Sequence, residues 1–395
     1  MTKRLDIYFF GDTGEYDSLN PAYACALPLA KEILYLIAAH KPYSASTLDI
    51  SKSLSADPDM VKGTINALVS INAVERHGDA YRILFPVFLK EDITGLKSVL
   101  KETYEFIANA VQRLKNSIIR VISALECYPL FGADRVLYHV ICDSVFDGLA
   151  FDFFEGRDLF CCSKPQPGNR DYIMIGYEDC DEARENSRKL LCSSNNHTCG
   201  RVRYNSFGDS DGYRKDIFRL VRIYEGKRDG IERVLCNVSL SRSIIEAGLE
   251  NVLPACSELL INLIESKSRI PAHDRLDGIE YALLKEIGYL GGPNERLTIN
   301  VPVFYEAERP IIKTVSDMVL DDIYPEINRA FETFYSRERD FSAVRHGVDM
   351  KELGNELWHQ IFGFANECLT ASKTVQPPAF KAGRGRYLQS CEILT

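Results

Sequence analysis

Lys62 and Asn66 lie four residues apart, one helical turn, in the segment that follows Pro58. A lysine can reach a phosphate or a guanine, and the amide of an asparagine matches the edge of adenine. Both stand outside the apolar stripe Val61, Ile65, Leu68 and Val69, so they face solvent if that segment is helical. Arg76, His77 and Arg82 follow in a short hairpin, from which they can track a phosphate backbone or a minor groove. Thr47 and Lys52, one helix earlier, can anchor phosphates. The set predicts contact with double-stranded DNA. Asp57 and Asp59 oppose it, because carboxylates facing phosphate are costly unless they read cytosine. The competing reading is that the same elements serve protein contact.

A second cluster has the composition of a metal site. Cys161, Cys162, Cys180, Cys192, His197 and Cys199 are the densest run of soft ligands in the chain, and Cys180, Cys192, His197 and Cys199 are the candidate zinc set. Zinc wants four such ligands in a tetrahedron. The polar Ser193-Ser194-Asn195-Asn196 reads as a loop that lets them converge. No CxxC pair occurs among them, so ordinary free thiols are the competing reading. His139 and His359 each follow an aromatic residue on an amphipathic segment and suit either a shared ligand pocket or packing. Phe146, Leu149, Phe151, Phe153, Phe154 and Phe160 suit either a cavity lining or core. Gly11-Asp12-Thr13-Gly14 and Asp209-Ser210-Asp211-Gly212 read as solvated loops. The chain has no GxGxxG, Walker loop, GxSxG or HExxH, so no catalysis is expected.

The elements that hold the DNA set follow from periodicity. A strand is expected over Leu5–Phe10 and a helix between Leu27 and His40, with Leu29, Ile33, Leu36 and Ile37 at helical spacing. Ser44-Ala45-Ser46 offers N-caps for a short helix through Leu54, and Asp57-Pro58 a cap and first-turn proline for the next. Val74–Ile83 reads as strand, tight turn, strand. Residues 30–88 thus resemble the winged-helix domains of ArsR- and MarR-like bacterial regulators. The resemblance implies that the third helix enters a major groove and that the hairpin is the wing. A long helix, residues 91–125, carries the seam Ile93, Leu96, Leu100, Ile107, Val111, Leu114 and Ile118.

The chain also nearly repeats itself. Leu27-Pro28 returns as Leu253-Pro254, Pro86-Val87-Phe88 as Pro302-Val303-Phe304, and Leu137-Tyr138-His139 as Leu357-Trp358-His359, at offsets of 226, 216 and 220. Two diverged winged-helix copies are expected, packed about a pseudo-two-fold axis. In the second, Ile279–Ile287 takes the place of the third helix and Gly291-Gly292-Pro293-Asn294 that of the wing turn. The shorter spacing between them and the first helix shrinks or removes the second helix. Ile311, Val315, Val319, Ile323 and Ile327 form a seam matching the first long helix. Lys381–Tyr387 reads as a basic loop entering a last strand, where Asn169–Tyr172 falls in the first copy.

The expected fold is α+β and helix-rich. Its segments are an N-terminal strand and loop (1–26), a winged-helix domain (27–90), a long helix with helical extension (91–165), an α+β insert (166–240), a degenerate winged-helix domain (241–308), and a long helix with C-terminal extension (309–395).

At 395 residues, 46% hydrophobic and 26% charged, the composition is that of a globular protein with room for several cores. No apolar run approaches the roughly 20 residues of a membrane helix. The opening MTKRLDIYFF lacks the plan of a signal peptide, so a cytoplasmic location without membrane contact is expected. The net charge of −9 disfavours unspecific nucleic-acid binding but permits a local basic face. The reading is a DNA-binding transcriptional regulator with the insert or inter-repeat cleft as sensor, open to a small-molecule effector and to self-association. The alternative is a non-catalytic scaffold that binds partners and no DNA.

Overall fold

A computed structural model describes residues 2–226, 228–266, 278–292 and 297–395. Residues 267–277, between the first and third helices expected of the second copy, and Pro293 and Asn294 of its expected wing turn lie outside the described residues. The fold is α+β and helix-rich, and no described helix is long and apolar enough to cross a membrane.

The first half runs β1 (Leu5–Asp12), α1 (Pro21–Cys25), α2 (Ala30–Ala39), α3 (Thr47–Leu54), α4 (Pro58–Ser70), β2 (Val74–His77), β3 (Ala80–Ile83), β4 (Val87–Phe88), α5 (Lys90–Val99), α6 (Lys101–Ile122) and α7 (Tyr128–Leu137). A π-helix (Tyr138–Leu149) and α8 (Ala150–Glu155) follow, then β5 (Pro165–Gln166), β6 (Arg170–Glu178) and α9 (Asp181–Lys189). Local chemistry explains the winged segment. Ser46 and Asp49 form a reciprocal capping box at the start of α3. Asp57 caps α4 ahead of Pro58, accepting the Asp59 amide at 2.9 Å. Val61, Ile65 and Leu68 are fully buried in one core with Ile33, Leu34, Ile37 and Ile50. β2 and β3 pair antiparallel around Gly78, whose φ of 64° suits glycine.

The expected long helix is two. Leu100 turns to ψ 2° and separates α5 from α6, while Leu96 and Leu100 both stay buried. Ile107, Val111 and Ile118 of the seam are buried as expected.

The second half runs β7 (Ser193–Cys199), β8 (Val202–Gly208), α10 (Ile217–Gly226), α11 (Val238–Ala247), α12 (Leu249–Glu265), α13 (Ile279–Glu286), β9 (Leu290–Gly291), β10 (Thr298–Ile299), β11 (Val303–Tyr305), α14 (Arg309–Arg337), α15 (Ser342–Arg345), α16 (Met350–Ala371), β12 (Phe380–Lys381) and β13 (Gly385–Ile393). On α14, Val315, Val319, Ile323 and Ile327 are fully buried.

The chain forms two compact units. One contains Met1–Ile107, Ala150–Ser187 and Leu320–Phe364, and the other Ala108–Leu149, Arg188–Val319 and Ala365–Thr395. Each has its own sheet, and the two sheets share a plan. In the first unit β6 is central, with β1 antiparallel on one side and β4 parallel on the other. Gly176 of β6 stands opposite Ile7 and Val87, and its amide donates to the Pro86 carbonyl at 2.9 Å. In the second unit β13 is central, with β8 antiparallel and β11 parallel. Cys391 of β13 stands opposite Tyr204 and Val303, and its amide donates to the Pro302 carbonyl at 3.0 Å. Short β5 and β12 pair with the starts of β6 and β13.

This plan corrects the expectation of an α+β insert at 166–240. β6 is the middle strand of the first sheet, whereas β7 and β8 belong to the second. A strand buried on both edges cannot be an appendage, because its ladder hydrogen bonds are made to β1 and β4. The strand expected after the basic loop 381–387 is present as β13.

Gly208 tests the second sheet. A Cβ there would stand 1.9 Å from the Arg386 carbonyl oxygen and 2.6 Å from the Tyr387 Cα, backbone atoms that cannot yield. Gly208→Ala is expected to cost about 1–3 kcal/mol, read as a lower urea midpoint at unchanged slope. Gly63→Ala is the control: its Cβ meets nothing within 4 Å, and the change favours helix by about 0.5–1 kcal/mol.

Candidate functional site

The segment 27–90 places the predicted contact residues in two groups. Lys52, Lys62 and Asn66 are exposed on the outer sides of α3 and α4, with Gly63 open between the latter two. His77 is exposed at the end of β2, its ring edge-on to Tyr43 with centroids 5.7 Å apart.

The other three are occupied internally. Thr47 is 9% exposed, and its hydroxyl bonds to Asp79 at 2.8 Å and to the Tyr81 hydroxyl at 2.7 Å. Arg76 Nε donates to the Gly78 carbonyl at 2.8 Å, holding its own turn. Arg82 pairs with Glu75 and donates to the His346 carbonyl at 3.3 Å. The Tyr43 hydroxyl and Arg82 hold the Glu75 carboxyl below its ordinary range. Thr47 and Arg82 are thus engaged within the hairpin and its surroundings, while Arg76, exposed, uses its Nε on its own turn. A β-hairpin this short has few partners of its own, so its long side chains fold back to satisfy its backbone.

The charge of the face is mixed. From Asp57 to Arg82 the chain has four acids, Asp57, Asp59, Glu75 and Asp79, against Lys62, Arg76 and Arg82. Apolar side chains also stand out from it, with Leu48 52% and Met60 40% exposed.

One residue far away in sequence locks this domain. His346, 2% exposed, accepts the Ile83 amide at Nδ1 (3.2 Å) and points Nε2 at the Ala38 and His40 carbonyls (3.2 and 3.1 Å). The two carbonyls at the end of α2 require the proton on Nε2, so the ring is neutral. Burial pushes its pKa down to about 4, with Arg345 and Arg82 adding to the shift against the two carbonyls. Ser342 and Arg345 donate to the same Ala38 carbonyl at 3.1 and 2.8 Å. Sequence reasoning missed this anchor, since nothing near His346 marks it.

The zinc set is not brought together. Among the described residues no three of His, Cys, Asp and Glu could hold a metal ion. The segment read as a loop is β7, paired along its length with β8. His197 and Cys199 share one face of this strand, but Cys192, just before it, is five residues from His197, roughly 16 Å at about 3.3 Å per residue, so the set does not converge. Cys180 lies in the other unit.

The second unit instead holds a buried polar cluster that periodicity did not reveal. Arg214 is fully buried and donates to the carbonyls of Asp209 (2.7 Å), Ser206 (3.2 Å) and Ser193 (3.0 Å). Asp216 accepts from Asn195 and Ser206 at 3.1 and 2.5 Å. Asp143, on the π-helix, accepts from Ser194 at 2.9 Å, and burial pushes its pKa up to about 6. Asp209, read as part of a solvated loop, is 2% exposed and paired with Arg386 at 3.0 Å. This cluster ties strand ends together through backbone carbonyls.

The paired histidines serve packing. His139 is buried between the rings of Tyr138 and Phe304, neither nitrogen hydrogen-bonded, and burial holds it neutral. His359 packs on Phe151 and Phe362 and points Nδ1 at the Asn355 carbonyl, 3.1 Å away. Phe146, Phe154 and Phe160 are core. An open cleft of about 400 Å³ in the second unit, beside the helix interruption at Gly132, has Arg135, Lys373 and Gln376 on its walls.

The pH dependence of the anchor follows from its direction. An unfolded histidine takes up its proton near pH 6.5, and folded His346 near 4. Below 6.5 the unfolded chain therefore binds more protons and stability falls, down to about pH 4; above 6.5 this group contributes no slope. Asp92, pushed up to about 6 by burial, works in the opposite sense and is common to wild type and variant. Urea melts should show wild type losing stability relative to His346→Asn by about 1.4 kcal/mol per pH unit at most across that window. Parallel curves would refute a buried neutral His346.

No family model, curated protein or solved structure matches this chain.

Proposed function

We propose that this chain is a non-catalytic binding protein built from two diverged copies of one winged-helix unit, and that its first winged domain contacts protein. The duplication is supported by the two sheets: the same antiparallel and parallel neighbours flank β6 and β13, and a Pro-Val-Phe segment forms the parallel strand in each.

The observation that carries the protein-contact reading is the face of α3, α4 and the wing. Five acids (Asp49, Asp57, Asp59, Glu75 and Asp79) stand there against four bases (Lys52, Lys62, Arg76 and Arg82), two of which are engaged by the wing itself, and Leu48 and Met60 offer apolar surface. Faces that bind DNA cluster lysine and arginine, and this face does not. One observation favours the second reading, DNA contact. Lys62 and Asn66 are exposed around an open Gly63, where a phosphate backbone can approach.

A salt titration of the full chain on random duplex DNA separates the two. The protein-contact reading expects weak binding with a salt slope that Lys62→Ala leaves within about one unit. Tight binding with a steep slope, lost in Lys62→Ala and Asn66→Ala, would establish the DNA reading in its place. Leu48→Asp and Met60→Asp should leave the fold intact, judged by the urea midpoint, because both side chains are already exposed.

A further inference from the structure

The two sheets differ at one edge. β8 is covered on its outer side by β7, Ser193 opposite Gly208 through Cys199 opposite Val202. β1, in the same position relative to its own central strand, pairs with β6 and with no other described strand. The chain thus carries a covered and an uncovered version of one edge.

The orientation of the open edge can be derived. The Asp179 amide donates to the Arg4 carbonyl at 2.8 Å, so that pair is hydrogen-bonded in the ladder. Alternation then turns the backbone groups of Asp6, Tyr8 and Phe10 toward β6, and those of Leu5, Ile7 and Phe9 outward. Eight-residue edges with free outward groups invite pairing, and proteins usually blunt them with lysine or proline. β1 has neither between Leu5 and Asp12, and Tyr8 and Phe10 are 46% and 43% exposed along it.

We infer that β1 pairs antiparallel with β1 of a second copy of this chain, about a two-fold axis at Tyr8. Outward residues must meet outward residues, which restricts the axis to a few positions. Centred on Phe9, Asp6 of one copy faces Asp12 of the other, two like charges. Centred on Ile7, Arg4 faces Phe10 and finds no acid. Centred on Tyr8, Ile7 pairs with Phe9, Tyr8 with Tyr8, and half-exposed Arg4, whose Nε pairs with Asp179 at 2.8 Å within its own copy, faces exposed Asp12 with the remainder of its guanidinium. Of these three registers, only this one sets an arginine opposite an acid and no like charges face to face. Such an isologous contact closes on itself and stops at a dimer. The inference rests on the strand pairings and is independent of what the winged face binds.

Sedimentation equilibrium of the full chain over a concentration series tests it. Wild type should dimerise. Tyr8→Lys, which sets two ammonium groups face to face at the axis, should weaken the dimer about tenfold or more. Asp12→Arg, which sets an arginine against Arg4 across the axis and leaves the Arg4–Asp179 pair in place, should weaken it too, and an unchanged urea midpoint guards against a variant that fails to fold. Amide exchange at Ile7 and Phe9 should slow on dimerisation. A chain that stays monomeric, a dimer that Tyr8→Lys leaves intact, or a foreign strand bound to β1 in preference to a second copy would overturn the inference.

Discussion

The constraint on which the first unit depends is that β6 pairs with two strands separated by the whole winged domain. β1 ends at Asp12 and β4 begins at Val87, yet both lie against β6, which arrives only at Arg170. The helices and hairpin between them are therefore a long excursion between two neighbours of one strand, with both ends fixed. Such closure is entropically expensive, and it is offset by a common core in which Leu5, Tyr172 and Met174 of the sheet join Ile33, Val61 and Ile65 of the helices. A winged domain free to move on a flexible linker is incompatible with this arrangement.

The anchor at His346 has the same logic. It arrives from beyond α14 and satisfies backbone groups at the end of α2 and in β3. Those carbonyls belong to the last turn of a helix, where no intrahelical donor is available. The internal roles of Arg76, Arg82 and Thr47 extend this bracing to the wing. Side chains that by type suit phosphate are here spent on holding a hairpin, and this shifts the reading of the face from nucleic acid toward protein.

The cysteine-rich stretch shows where residue type misleads. Serine and asparagine between potential ligands suggested a loop, but β7 is a strand because β8 supplies its ladder and the buried Arg214 and Asp216 supply partners for its polar groups. Polarity there reflects an internal hydrogen-bond network, which a period count treats as solvent exposure. The same error placed Asp209 in water.

Sequence by itself determined the local elements of the winged segment: the caps at Ser46 and Asp57, the stripe on α4, the turn at Gly78 and the recurrence of Pro-Val-Phe are all set by residues close together in the chain. Neighbour-range forces write such features directly. Only the tertiary structure decided that 170–178 is the middle of a sheet, that His346 locks the wing, that the thiols stay apart and that one edge strand is covered and its counterpart bare. Each of these depends on which distant segments meet. That is settled by the burial of whole surfaces and the satisfaction of backbone groups, quantities that no short window of residues contains.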